Sequence, residues 1–385
     1  LERLLDTAGS DTDVGRVAGA LREAGERAIV LAGLRLGESP GGVAAAGAVA
    51  ARLGARFAYL PRRAGDRGAL RAGVHPRLLP GGRRVDEPGE RGGVEAVWGV
   101  VPTEPGRDAT AILQACVRRE IDLLYLVGAD PLADFPHADL ARRALENTPF
   151  KVFQDIASDG YAIYADAILP AAAYLEREGH FTDWEGRGQR VRPVRPPEGL
   201  ARPDWEIFQE LSEVLGADMG FRSLEALHEE MGELLAPRRE VAEVPRARAD
   251  EAVPQAAGGR RGAEEARAEG PTALTLFTYP LLVDDGRQSA DSDELRAALG
   301  DEPFLEVHPA DADRLGLEDG GRARVRTPAG EAELPVRISS GLARGTAFVP
   351  FNQPGFRANA LLSGRHFTDA LIEAVGATEE AEVKA

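Results

Sequence analysis

The chain has 385 residues, 43% of them apolar and 28% charged, with a formal net charge of −17. That length accommodates two or three domains with ordinary cores, and that charge excludes a nucleic-acid-binding surface as the organising feature. Cys116 is the only cysteine, which excludes an intrachain disulfide and a four-cysteine zinc or iron–sulfur site.

Taken in chain order, Asp11 and Thr12 can cap a helix whose Val14, Val17, Ala18 and Leu21 share one face. "RAIVLAG" (27–33) is a continuous apolar run, as expected for a strand buried on both faces. The small-residue helix "GGVAAAGAVAARLG" and the strand "ARFAYL" follow, and that alternation predicts a parallel α/β sheet. "AGLRLGESPGG" has the look of a phosphate loop. It fits neither the dinucleotide nor the P-loop spacing, so its glycines read as turn glycines. Residues 61–105, rich in Gly, Pro and Arg, read as a long irregular connection.

Regular structure is predicted again as helix 107–119, strand 121–128, helix 138–147, strand 151–155 and a short run at 166–170. Cys116, between Ala115 and Val117, reads as a core residue. The most apolar stretch, 161–175, is interrupted by Asp166 and Pro170 and is too short to cross a bilayer, so no direct membrane insertion is expected. Two amphipathic helices are predicted at 205–216 and 223–235. Residues 237–270 contain no Leu, Ile or aromatic residue and read as a disordered linker.

Beyond the linker the period becomes two. In "EAELPVRI", Ala332, Leu334, Val336 and Ile338 face one way, while Glu331, Glu333 and Arg337 face the other. His308 caps a short helix with Pro309 in its first turn. The expectation is an α/β region over 1–236, the linker, a β-barrel over 271–376 and a flexible tail over 377–385. His75, His137, His180, His228, His308 and His366 are scattered without a metal-binding spacing, so no metal site is expected. The chain starts at Leu1 rather than Met, and the expectation is a fragment of a longer chain.

Three motifs then stand in order: "LYLVGADP" (124–131), "VFQDIASDGYAIYADAILPAAAYLEREGHFTDWEGRGQ" (152–189) and "VHPADADRLGLEDGGRARVRTPAG" (307–330). Together they resemble the molybdopterin oxidoreductase family. "RRAGDRGALRAGVHPRLLPGG" (62–82) is similar to the branch of that family found in respiratory complex I. The resemblance implies a parallel-sheet, Rossmann-like α/β core followed by a molybdopterin dinucleotide-binding-like β-barrel. It also implies that Gly128, Asp130, Asp155, Asp166, Glu185, Arg187, Gln189 and Asn352 line the cleft corresponding to the pterin site.

In the complex I branch that cofactor is regarded as lost. The resemblance then implies a structural segment with no catalytic residue, and iron–sulfur clusters upstream of it that pass electrons from NADH toward quinone. The implied partners are the other peripheral-arm subunits, on the cytoplasmic side of the bacterial inner membrane. The alternative is a catalytic molybdopterin-dependent segment, related to formate dehydrogenase or nitrate reductase; a third reading is a stand-alone binding module.

Three departures from the family pattern favour the cofactor-free reading: Asp183 in place of the usual Asn, "SDGY" (158–161), and a barrel start without the Gly-Arg…His pattern. On that reading Asp183, Glu185 and Arg187 form an internal network that ties the loop to the α/β core.

Overall fold

The structure is a computed structural model that describes residues 13–38, 41–61, 63–157, 160–235, 272–286, 289, 292–365 and 367–375. The Asp11–Thr12 cap, Ser158 and Asp159 of "SDGY", the predicted linker at 237–270, His366 and the predicted tail at 377–385 lie outside the described residues. Contacts divide the chain into two compact units, Leu1–Ala109 with Ala171–Gly258, and Thr110–Pro170 with Gly259–Ala385.

In the first unit, strands Ile29–Gly33 and Arg56–Leu60 pair in parallel, from Ile29↔Arg56 to Gly33↔Leu60. The crossover contains helix Gly42–Leu53, which ends at Gly54 in the left-handed conformation. Ala18 and Val49 form a small core with Leu21 and Leu53. Ile29 and Leu31 remain 57% and 59% exposed, so the strand is covered on one face and not on both as its apolar run suggested. Among the described residues this sheet has only two strands. Alternate side chains of the first strand therefore point away from the cover.

Residues 61–105 are more regular than their composition suggests. They form helices Asp66–Arg71 and Pro88–Trp98 and the paired short strands Leu78–Leu79 and Arg83–Arg84. Leu79, Val85, Val94 and Val101 bury against Leu234, which belongs to helix Leu224–Leu234. The Trp98 indole N–H donates to Glu230 Oε1 at 2.8 Å. Gly89, Gly92 and Gly93 dilute the helical pattern of 88–98, while Pro88 starts it in the preferred first-turn position.

In the second unit, strands Leu123–Val127, Phe150–Asp155 and Ala167–Pro170 form a parallel sheet with Leu126↔Phe153↔Ile168 in register. Helices Ala109–Val117 and Ala138–Asn147 supply Leu113, Cys116, Ala141, Ala144 and Leu145 to one core with Leu124 and Phe153. The predicted core placement of Cys116 holds, since it is wholly buried.

The barrel is closed, with strand order 273–279, 346–350, 305–307, 331–338, 322–326 and 367–374. The predicted alternation is present: Leu334 and Val336 are buried and Ala332 and Ile338 pack against the same cluster. His308 caps helix Pro309–Leu315 by accepting from the Ala310 amide through Nδ1 at 3.0 Å. Leu276, Leu305, Val325 and Ile372 are fully buried, each contributing on the order of 1.5–3 kcal/mol.

One side chain fastens the barrel segment to the sheet segment inside this unit. Asn359, 2% exposed, lies in the turn Ala358–Leu361. Its Nδ2 donates to the carbonyls of Leu132, Ala133 and Phe135 at 2.6, 3.3 and 3.2 Å. The Gly364 amide adds a bond to the Pro136 carbonyl at 2.7 Å. Asn359→Ala leaves half-buried carbonyls without a donor and is expected to lower stability by about 1–3 kcal/mol, measured as a fall in the urea midpoint. Asn359→Asp, which cannot donate, should be at least as damaging.

Candidate functional site

The residues singled out from the sequence fall into both units. Gly128, Asp130, Asp155, Asp166 and Asn352 belong to the second, and Glu185, Arg187 and Gln189 to the first.

In the second unit, four of them surround the three-stranded sheet, three at the carboxyl ends of its strands, where open α/β sheets place ligands. Gly128 has φ 59° and its amide donates to the Gln154 carbonyl at 2.9 Å. Asp130 caps helix Pro131–Asp134, accepting from the Leu132 and Ala133 amides at 2.9 and 3.1 Å. Asp155 is 5% exposed. Its Oδ1 accepts from the Ile156 amide at 2.7 Å and its Oδ2 from the Tyr161 hydroxyl at 2.5 Å. Asp166 lies at the other end of its strand. There its Oδ2 takes both the Lys151 ammonium and the Lys151 amide at 2.8 Å. The Lys151 side chain, then its backbone N–H, hold the Asp166 carboxyl below the usual carboxylate range against the opposing effect of burial.

Asn352 sits in the barrel. The parallel strands 273–279 and 346–350 end together in the register Thr278↔Val349 and Tyr279↔Pro350. Directly beyond, Asn352–Gln353 pairs with Phe356–Arg357 around the turn Pro354–Gly355, with Gly355 at φ 74°. Thr278, Asn352 and Gln353 are 3%, 4% and 1% exposed. Thr278 Oγ1, Asn352 Oδ1 and both amide atoms of Gln353 have no hydrogen-bond partner. Thr278, Gln353 and Asn359 were missed in the sequence. The available signal was a polar Asn-Gln-Pro-Gly run directly after the apolar strand "TAFVPF".

Charge at this end of the barrel decides what it can hold. Arg296 engages Asp285 and Asp293, and Arg357 Nη2 reaches the same Asp285 at 3.2 Å. The adjoining cavity, ≈ 250 Å³, is lined by Asp284, Asp293, Asp301 and Glu302 alongside Arg296. A dinucleotide cofactor carries a pyrophosphate, which calls for free guanidinium, ammonium or backbone N–H donors. Here the nearby guanidinium groups already face carboxylates and further carboxylates line the space, so these residues do not fit that group.

In the first unit, strands Gly179–Thr182 and Gly188–Val191 form an antiparallel hairpin around residues 183–187. Asp183 Oδ1 accepts from the Glu185 and Arg187 amides at 3.0 and 2.9 Å, and Oδ2 from Arg187 Nε at 3.0 Å. The Arg187 amide, then the guanidinium charge, hold the Asp183 carboxyl below its ordinary value despite some burial. Arg187 also meets Glu185. Gly186 takes φ 94°, a conformation that favours glycine, so the turn can close.

The expected network therefore exists, but it is internal to the hairpin and does not tie it to the α/β core. Arg187 is 70% exposed and Gln189 is exposed. The hairpin is anchored instead by Arg67, whose guanidinium donates to the Trp184 carbonyl. The Asp at 183 is thereby explained, because a carboxylate accepts three N–H groups that one amide oxygen would have to share.

Among the described residues no group of three or more His, Cys, Asp or Glu side chains could hold a metal ion, and no helix is long and apolar enough to cross a membrane.

Comparison with known proteins divides the chain differently from its contacts, since the first family model spans residues of both units. The family model for Molybdopterin oxidoreductase matches residues 18–214, and that for the Molydopterin dinucleotide binding domain matches residues 276–372. The chain is 32% identical over 369 residues to the G subunit of the NADH-quinone oxidoreductase of Streptomyces coelicolor, covering 92% of this chain and 41% of that protein. It is 33% identical over 320 residues to the second of the NADH-quinone oxidoreductase G subunits of Rhizobium meliloti, covering 79% and 36%. It thus spans about two fifths of the length of these relatives. The solved acetylene hydratase from Pelobacter acetylenicus has the same fold at a TM-score of 0.51 and 20% identity, over 74% of this chain and 49% of that one.

Two expectations come from this geometry. Arg187→Ala removes only the two exposed ion pairs to Asp183 and Glu185 and should shift the melting temperature by less than about 2 °C, whereas Asp183→Ala, which orphans two amides, should shift it more. For Lys151–Asp166, a depressed carboxylate stabilises the fold above its unfolded pKa, near 3.8. That contribution is lost as pH falls from there through the lower folded value. Lys151→Met should move the Asp166 titration upward, as read by carboxyl ¹³C chemical shifts, and flatten the acid limb of stability against pH.

Proposed function

Because the chain belongs to the molybdopterin oxidoreductase family, we propose that it is the C-terminal part of a G subunit of NADH-quinone oxidoreductase and serves there as a cofactor-free structural module. In this reading the whole protein belongs to the peripheral arm of complex I, on the cytoplasmic side of the bacterial inner membrane. Iron–sulfur clusters in the upstream region pass electrons from NADH toward quinone. Other peripheral-arm subunits pack around this segment, which takes no part in the chemistry. The names carried by the relatives at 32% and 33% identity support the assignment to the G subunit.

The observation that carries the structural role is the charge at the barrel end. Arg296 and Arg357 converge on Asp285, and four carboxylates line the adjoining cavity. A bound pyrophosphate there would face carboxylates whose guanidinium partners are already engaged. The hairpin at 179–191 supports the same reading, since its charged groups satisfy one another.

One observation favours the alternative, a molybdopterin-dependent catalytic segment: the unpartnered buried atoms of Thr278, Asn352 and Gln353 could pair with the edge of a heterocycle. Elemental analysis separates the two. The full-length protein, produced in cells that make the cofactor, should contain iron and no stoichiometric molybdenum or tungsten. Its oxidised extract should show pterin fluorescence at background. About one molybdenum per chain would replace the structural reading with the catalytic one, and Asn352 and Gln353 would then be the first residues to substitute.

A further inference from the structure

The cavity beside the barrel end combines an excess of negative charge with an unsatisfied buried amide. Asp284, Asp293, Asp301 and Glu302 line it, with Arg296 as the only lining cation among the described residues. Arg296 pairs with Asp285 and Asp293, and Asp301 receives Arg337 Nη2 at 2.8 Å. Glu302 is exposed and has no ion-pair partner among the described residues. Gln353, 1% exposed, also lines the cavity, and neither Nε2 nor Oε1 finds a partner; the buried Arg296 Nε is likewise unpaired. A buried carboxamide left without donor and acceptor is costly, and such exceptions in a folded protein call for an explanation.

The combination restricts the ligand. The carboxylates do not converge closely enough to hold a metal ion, whereas a cation that donates hydrogen bonds along several directions can span more widely placed acceptors. A volume of ≈ 250 Å³ lies below the range of ordinary small-molecule pockets, about 300–1,000 Å³, and suits one long side chain. Gln353 Oε1 needs a donor, while Gln353 Nε2 and Arg296 Nε need an acceptor. A simple polyamine supplies donors alone. An arginine within a polypeptide supplies both, through its guanidinium and its backbone carbonyl.

We infer that this cavity is a docking socket for an arginine side chain of a partner polypeptide. The guanidinium is held by Glu302, Asp284 and Gln353 Oε1, and the neighbouring main-chain carbonyl by Gln353 Nε2. The site rests on the second unit's own geometry and goes beyond the proposed structural role. It holds or fails whether or not the upstream region carries clusters.

The test is a titration of the ¹⁵N-labelled 385-residue chain with N-acetyl-arginine-N′-methylamide. Ethylguanidinium, spermidine and GDP are compared at equal ionic strength. The side-chain amide signal of Gln353, identified by its absence in Gln353→Leu, should shift saturably with the blocked arginine. Ethylguanidinium and spermidine, which lack the carbonyl, should bind at least fivefold more weakly, and GDP should leave the signal in place. Gln353→Leu should lose at least tenfold in affinity, read from the remaining barrel amides, without a lower melting temperature, because it removes the unsatisfied amide. Glu302→Gln, at an exposed position, should weaken binding severalfold and provides a second variant if the first disturbs the fold. Absence of saturation, unchanged affinity in both variants, or preferential binding of spermidine or GDP would each overturn the assignment.

Discussion

The second unit depends on a problem that every short helix poses. Residues 131–134 form a single helical turn, so the carbonyls at its end have no partners within it. In water they would be solvated. Half-buried against the barrel segment they need donors, and the Asn359 amide, fully enclosed in the turn after the 352–357 hairpin, supplies them. Two N–H bonds of one side chain are shared among three carbonyls, so the geometry admits little sliding. This joins residues more than 220 positions apart in sequence. The hairpin that precedes Asn359 is therefore held at a defined place, and with it Asn352 and Gln353.

The same logic separates what was legible in the sequence from what was not. Period-two and helical patterns report which residues meet a core. The barrel strands, the helix at 138–147 and the buried position of Cys116 could accordingly be read from residue order alone. The helix at 88–98 could not, because three glycines interrupt its apolar face and its partner, Leu234, is distant in sequence. Nor could the exposed face of strand Ile29–Gly33 be read, since an apolar run states what could be buried, not what covers it.

The candidate site divides along the same line. Charged residues beside glycines at 183–188 announced a network, and the network is there, yet its location inside an exposed hairpin depends on a five-residue loop geometry that no spacing rule specifies. Asp130 and Asp155 drew notice as cleft residues, and in the fold each carboxylate already accepts two hydrogen bonds from its own neighbourhood. Thr278, Gln353 and Asn359 passed unnoticed because an uncharged polar residue near the end of an apolar strand is ordinary. Only burial without a partner, or burial with three partners, makes it informative.

These observations place the interest of the molecule in how its charges are paired. A barrel of this family type presents one end on which a nucleotide's phosphates would require uncommitted cations. Here Asp285 sits between Arg296 and Arg357 and engages both. Phosphate would have to displace a carboxylate joined to the same backbone, and would do so beside four more carboxylates. The proposed absence of an anionic cofactor and the proposed docking of a cationic side chain would then be two consequences of one arrangement. Acidic residues that repel phosphate also select guanidinium, and the unpaired Gln353 amide gives that selection a direction, since it can read the hydrogen-bonding edge as well as the charge.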